Sequence, residues 1–228
     1  MELFWLIIGL SLTIVVAFKV YDSPKAKGIR LENKIHRILE KLAVKYEGNA
    51  FKDLMLPFGN ATSQIDNVLI TPKAIFVIEA KNYKGRIFGS INQEQWTMTS
   101  KTTKTYKNKR GKTYQKSYIN KYQFYNPIKQ NETHIKALQQ HIKTNIPFYN
   151  LVVFGQESDL SALDSNESRF TTKTFYLNKI IDELMRSQKE SIDKEDLNGI
   201  NFKINNQNIR NQKSRRKHVK SIKKKYKK

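Results

Sequence analysis

The stretch QIDNVLITPKAIFVIEAKNYKG, residues 64–85, constrains the fold more than any other part of the chain. Two apolar segments, 64–71 and 74–81, flank Thr71-Pro72-Lys73-Ala74, and Pro72 suits the first central position of a tight turn. The pattern predicts an antiparallel hairpin. With Pro72-Lys73 as a two-residue loop, Thr71 pairs with Ala74, Ile70 with Ile75 and Val68 with Val77, and Asp66 lies opposite Glu79. Alternation places Asp66, Val68, Ile70, Ile75, Val77, Glu79 and Lys81 on one face, and Ile65, Leu69, Phe76 and Ile78 on the other. Both faces are apolar near the turn, so the hairpin is predicted to lie between two layers.

Such a buried hairpin has little room for charge. Carboxylates directly opposed on paired strands repel, and partial burial penalises them further. A divalent cation removes the conflict, and hard oxygen donors suit magnesium or manganese better than zinc. Lys81, two residues beyond Glu79 on the same face, is placed to orient a water or to neutralise charge on a phosphate. The plain alternative is an ion pair, Asp66–Lys81 or Glu79–Lys81, at a sheet end. The spacing alone does not choose between them.

Around the hairpin the pattern alternates between helix and strand. Residues 28–45 place Leu31, Ile35, Ile38, Leu39 and Leu42 on one helical stripe. AFKDLMLPF, residues 50–58, reads as a strand and GNATS, 59–63, as a loop. RIFGSINQEQWTM continues as extended chain, and YKNKRGKTYQKSY reads as a hairpin with Lys109-Arg110-Gly111 at its tip. Asn126-Pro127 opens a helix with Ile128, Ile135, Leu138 and Ile142 on its apolar face. FYNLVVFG and FTTKTFYL read as strands, and NKIIDELMRSQ as a closing helix capped by Asn178. The order predicts an α/β (α+β) domain, a central sheet flanked by helices.

The 228 residues carry a formal charge of +22 and no cysteine. No disulfide framework or cysteine zinc site is therefore available. The charge is clustered. No acid occurs between Gln95 and Gln130, nor after Asp196. That clustering favours a polyanion partner, nucleic acid or an anionic lipid surface. In the 101–121 hairpin, Lys104, Lys107, Lys109, Arg110, Lys112 and Lys116 are candidate phosphate contacts, and the interleaved tyrosines are able to stack on splayed bases. A solvated strand pair with cross-strand tyrosine packing accounts for the same pattern. Residues 191–228 read as a disordered basic tail, able to touch nucleic acid or anionic lipid. At the other end, residues 3–18 are uncharged and long enough, with snorkelling at Lys19, to cross a bilayer. A cleaved signal peptide or a buried helix are the alternatives. Lys19, Lys25, Lys27 and Arg30 follow the apolar run, which predicts a cytoplasmic C-terminal domain.

Residues 64–90 also resemble the core of the nuclease-related domain family, a branch of the PD-(D/E)xK restriction-endonuclease-like superfamily. Asp66 matches the first acid and Glu79-Ala80-Lys81 the (D/E)xK element. GIRLENKIHRIL, residues 28–39, resembles the family's G-x-x-G-E helix, with Glu32 as the matching glutamate and Leu31 in place of the second glycine. Trp96, Asn126, Pro127, Gln130 and His134 resemble a W…NP-x-x-Q-x-x-x-H element. The likeness runs from about Gly28 to Leu184. It implies a metal site at Glu32, Asp66 and Glu79, Lys81 as the catalytic lysine, and Gln130 beside the site. The expected layout is a transmembrane anchor at 1–21, a linker at 22–27, a nuclease domain at 28–190 and the basic tail at 191–228. The expected function is a membrane-anchored, magnesium- or manganese-dependent nuclease acting on DNA. A noncatalytic nucleic-acid-binding or membrane-organising protein that keeps the fold is the alternative.

Overall fold

In a computed structural model, Trp5 and residues 20–225 are described, without side chains beyond Ser221. Apart from Trp5, Val20 and Tyr21, the predicted membrane anchor lies outside the described residues. Among the described residues, no helix is long and apolar enough to cross a membrane.

The first helix, α1 (Pro24–Lys45), begins earlier than predicted. Ser23-Pro24 looks like a chain break in sequence, but Ser23 is the N-cap, its hydroxyl accepting from the Ala26 amide at 3.2 Å, and Pro24 opens the first turn. Most of the expected linker is therefore helix. The hairpin strands β2 (Ala61–Ile70) and β3 (Ile75–Lys81) pair as predicted, Ile70 with Ile75 and Val68 with Val77. β1 (Asn49–Phe58) adds antiparallel to β2. The connection is a tight turn at Gly59, whose φ of 55° suits glycine, so most of the predicted 59–63 loop belongs to β2.

Residues 85–125 build a second sheet rather than extending the first. β4 (Gly85–Phe88), β5 (Gln95–Lys107), β6 (Thr113–Tyr125) and the short β8 (Ser158–Asp159) pair in the order β6-β5-β4-β8. Helix α2 (Pro127–His141) follows, capped by Asn126, whose side chain accepts from the amides of Ile128 and Lys129. The chain then returns as β7 (Phe148–Phe154), parallel to β3, and β9 (Thr171–Lys173) completes the order β1-β2-β3-β7-β9. Between them lies the one-turn helix α3 (Ser165–Ser168). The predicted strand at 170–177 is only half strand. Thr174–Tyr176 is a 3-10 turn leading into α4 (Leu177–Ser187), and Asn178 makes no cap. The fold is a mixed α/β structure with two mixed sheets flanked by helices.

The hairpin is buried between layers as expected. On one side Leu69, Phe76 and Ile78 pack against Leu31, Ile35 and Leu39 of α1 and Ile181 of α4. On the other, Val68, Ile70, Ile75 and Val77 pack with Leu138 and Ile142 of α2. Ile65 departs from the predicted alternation and joins this second cluster. The cause is a paired break. Asp53 of β1 stands opposite Asp66 by register but adopts φ 52°, and the ladder resumes beyond it with the same offset. Ala50, before Asp53, packs on the α1 side, whereas Leu54 and Leu56, after it, pack on the α2 side. A left-handed residue reverses which way the following side chains point.

The basic C-terminal segment is helical, contrary to the disordered tail predicted from its charge. Helix α5 (Lys194–Gln207) is capped by Asp193 and buries Leu197, Ile200 and Ile204 in the α2-side cluster. Asn208 and Ile209 then bond both backbone groups of Met55 on the outer edge of β1. Helix α6 (Gln212–Lys225) follows, with Arg215 reaching Asp53. The stripe at 197, 200 and 204 is a helical period, and its apolar burial outweighs the charge on the opposite faces.

Candidate active site

The site forms at the end of β3, beside the first half of β2 and between α1 and the first turns of α2. Glu79 and Lys81 alternate onto the α2 side of β3. Glu79 is 3% exposed, and its Oε1 accepts from the Lys81 ammonium at 2.6 Å. The same ammonium donates to Gln130 Oε1 at 3.0 Å. The structure thus brings the predicted Glu79, Lys81 and Gln130 into contact. Burial raises the Glu79 pKa, yet the Lys81 charge and His134 outweigh it and hold the carboxyl below its usual range. Burial likewise pulls the Lys81 ammonium down, and Glu79 more than compensates, so its pKa is raised.

Asp66 follows a different course from the one predicted. Register counting sets it opposite Glu79, but the β2–β3 ladder stops at Asn67–Ile78. The Asp66 side chain reaches across to β3 and its Oδ2 accepts from the Ala80 amide at 2.9 Å. It therefore caps the strand rather than standing beside Glu79 as a free carboxylate. Burial, and then the Glu79 charge, push its pKa well above the usual carboxylate range. Glu32, half-buried on α1, is also raised. Burial is the main cause, and Asp53 and Glu79 add to it against the lysines at 52 and 81. Its backbone carbonyl accepts from the fully buried Asn67 side chain.

His134 lies one helical turn beyond Gln130 on α2 and belongs to the same cluster. Its Nδ1 is 2.6 Å from Ser63 Oγ. Its Nε2 is 3.3 Å from Glu79 Oε2, close enough for electrostatic contact but not aligned as a hydrogen bond, so that buried carboxylate oxygen has no hydrogen-bond partner. In sequence, His134 entered only as the last residue of the W…NP-x-x-Q-x-x-x-H likeness. Ser63, Asp53, Arg215 and His218 gave no sequence signal. Arg215 holds Asp53 through its carboxylate and its carbonyl, both at 2.7 Å, and His218 Nδ1 is 2.7 Å from Thr62 Oγ1. His218, Ser63, Asp66, Gln130 and His134 line one cleft of about 390 Å³.

Chemically, the cluster offers carboxylate oxygens, a buried ammonium and an amide, and of these Asp66 and Gln130 line the cleft. Among the described residues, no three His, Cys, Asp or Glu side chains converge on a single point. The six predicted phosphate contacts lie away from the cleft on the β5–β6 hairpin and are all exposed. Lys104 and Lys107 are on β5, Lys116 is on β6, and Lys109, Arg110 and Lys112 are at the tip.

A family model for the nuclease-related domain matches residues 27–155. An uncharacterized protein of Bacillus anthracis is 31% identical over 142 residues, 62% of this chain and 58% of that relative, so the likeness spans little more than half of it. No solved structure matches the chain. With a (D/E)xK lysine paired to its glutamate at the end of β3 and more than half of the chain matched, this protein belongs to the nuclease-related domain family, which is of the general PD-(D/E)xK kind.

Proposed function

We propose that this protein is a divalent-metal-dependent nuclease that hydrolyses phosphodiester bonds of nucleic acid, with DNA as the substrate its superfamily favours. The observation that carries this reading is the buried Glu79–Lys81 pair, shared with Gln130 and left with an unclaimed carboxylate oxygen. A purely structural ion pair would end with its buried lone pairs satisfied. Here Glu79 Oε2 meets only His134 Nε2, at 3.3 Å and not aligned to donate, and the pKa values of Asp66 and Glu32 are each raised by burial and by neighbouring acids.

Those features suit a hard divalent cation, because the donor set is all oxygen and, unlike Glu79, neither Asp66 nor Glu32 has a lysine or arginine in ion-pair contact among the described residues. Glu32, Asp66 and Glu79 would hold magnesium or manganese, which when bound would polarise the phosphate and lower the pKa of an attacking water. The remaining work belongs to the chain. Lys81, fixed in direction by Glu79 and Gln130, would donate to a phosphate oxygen and offset the charge that builds in the pentavalent state. Asp66 holds the end of β3 by occupying the Ala80 amide. Ser63 and His134 restrict the Glu79 carboxylate from its other side.

The test is cleavage of plasmid and single-stranded DNA by the full chain in mild detergent, with magnesium, manganese or EDTA. Asp66→Asn and Lys81→Ala should each lose at least about 100-fold in rate. Equal cleavage by both variants would locate the activity elsewhere. No cleavage of any nucleic acid with either metal would leave a binding protein.

We also propose that residues 3–18 anchor the protein in a membrane with the folded domain on the cytoplasmic side, on the uncharged run and the lysines and arginine that follow it. Carbonate extraction and protease treatment of membrane vesicles of known orientation test this. Release by carbonate, or a domain protected on the wrong side, would reject it.

A further inference from the structure

The β5–β6 hairpin sorts its side chains more sharply than its composition suggests. Directly paired residues share a face, and the register pairs Trp96 with Phe124, Met98 with Tyr122, Thr102 with Tyr118, Lys104 with Lys116 and Tyr106 with Tyr114. One face thus carries Tyr106, Tyr114, Tyr118, Tyr122, Lys104 and Lys116. The other pairs Thr97 with Gln123, Thr99 with Lys121, Lys101 with Ile119, Thr103 with Ser117 and Thr105 with Gln115, and beyond its base, where Gln95 pairs with Tyr125, it holds no aromatic ring. A hairpin needing only solubility has no reason to separate tyrosine from threonine in this way.

The aromatic face is exposed beyond its base. Trp96 and Phe124 are in the core, whereas Tyr114 and Tyr122 are more than half exposed. Tyr106 and Tyr114 stack at 5.6 Å. Lys116 lies 5.4 Å over the Tyr118 ring. Lys104 and Lys116 face each other directly, an arrangement that repels, and no acid occurs in either strand to relieve it. Several polar groups able to read base edges are already engaged. The Tyr106 and Tyr118 hydroxyls bond each other, and Asn120 donates to Thr102. What the face offers a ligand is ring surface and positive charge. The face also leads to the site. Tyr122 lies 6.0 Å from Tyr83 and Phe124 lies 4.5 Å from it, and Tyr83 is two residues beyond Lys81. From Tyr122 to Tyr114 the strand spans about 25 Å.

We propose that this face is the docking track for a single-stranded segment of nucleic acid leading toward Lys81, an inference that rests on the nuclease reading of the site. A duplex keeps its base faces stacked inside, so the tyrosine rings would meet nothing. A single strand presents both an open base face and a phosphate at each step, and stacking of this kind tolerates any sequence. The track therefore selects for strandedness and not for sequence. Lys107 points away from it, and Lys109, Arg110 and Lys112 at the tip serve phosphates in general.

The test is fluorescence anisotropy with the full chain in mild detergent, using a labelled 20-nucleotide mixed-sequence DNA as single strand and as duplex. EDTA is present throughout, so binding is read apart from cleavage. Wild type should prefer the single strand. Tyr114→Ala with Tyr122→Ala should weaken single-strand binding about tenfold or more. Lys104→Gln with Lys116→Gln should flatten the logarithmic salt dependence by about 1.4. Lys107→Gln with Lys121→Gln removes equal charge from the other face and should leave the strand preference intact. Duplex binding as tight as single-strand binding, or unchanged single-strand binding by the tyrosine variant, would overturn the proposal. So would loss of binding to phosphatidylserine vesicles in the tyrosine variant with no oligonucleotide bound by wild type. If the tyrosine variant loses the single strand but wild type cleaves nothing with either metal, the track stands and the nuclease reading falls.

Discussion

Replacing Ile204 by alanine tests whether the C-terminal segment is part of the domain. Ile204 is fully buried on α5 and packs in the cluster that contains Val68, Ile70, Ile75 and Val77 of the hairpin. Truncation removes the transfer energy of the lost methyl groups and leaves a cavity, together about 2–5 kcal/mol for a site of this kind. For a domain of this size each kcal/mol lowers the melting temperature by about 2–4 °C, so a loss of about 10 °C is expected. Phe202, two residues earlier, supplies the control. It is 67% exposed, and Phe202→Ala removes a larger side chain at a cost within about 0.5 kcal/mol. Circular dichroism melts and urea midpoints of the two variants should diverge clearly. Two equally small shifts would mean that α5 does not pack as described. The same reasoning bears on deletion experiments. Leu197, Ile200 and Ile204 together contribute about 5–9 kcal/mol of burial, comparable with the whole stability of a domain. Removing residues after 191 should therefore unfold the protein, and lost nucleic-acid binding after such a cut would say nothing about a basic arm.

Other expectations follow from single contacts. Arg215→Ala frees Asp53 and should cost about 1 kcal/mol, since both partners keep some solvent access, with faster amide exchange across 212–221 by mass spectrometry. His134→Ala strips Ser63 and Glu79 of a buried neighbour. It should cost about 1–3 kcal/mol in melts and slow cleavage, while Ser63→Ala should do less of both. Asp182 is hydrogen-bonded to Lys45 at 2.9 Å and Tyr46 at 2.6 Å. Against the pull of burial these hold its pKa below the usual carboxylate value. A lowered folded-state pKa gives stability that is present above the unfolded value, about pH 4, and is lost as pH falls through the folded one. Wild type should therefore exceed Asp182→Asn in melting temperature at pH 6, and the gap should close on acidification below pH 4.

The parts legible in sequence were those fixed by local chemistry. Pro72 and the alternation around it set the hairpin register, and Asn126-Pro127 set the start of α2. Placing Glu79 and Lys81 together needed only a period of two. Glu32 and Gln130 entered through family likeness, and the structure sets Gln130 against Lys81 and Glu32 within electrostatic reach of Glu79. The C-terminal helices were missed because charge dominates their composition, although Leu197, Ile200 and Ile204 already formed a helical stripe behind an aspartate cap. Asp53 gave no signal at all. Aspartate tolerates the left-handed region, but a lone aspartate within a strand does not announce it.

That unannounced residue is tied to the geometry of the site. A ladder continued past Asn67 would have given the end of β3 backbone partners and kept Asp66 on a single face with Glu79, two carboxylates in open conflict. With the ladder stopped and the faces exchanged at Asp53 and Asp66, the Ala80 amide goes to the Asp66 carboxylate instead. The acid is thereby fixed in place without a counter-ion touching it, while Lys81 is committed to Glu79 and Gln130. Arg215, from a helix that sequence reading left unfolded, holds Asp53 in the conformation on which the exchange depends. Alternation therefore fails at the residues that build the candidate site. Rules of local structure are expected to be broken where a chain spends stability on function.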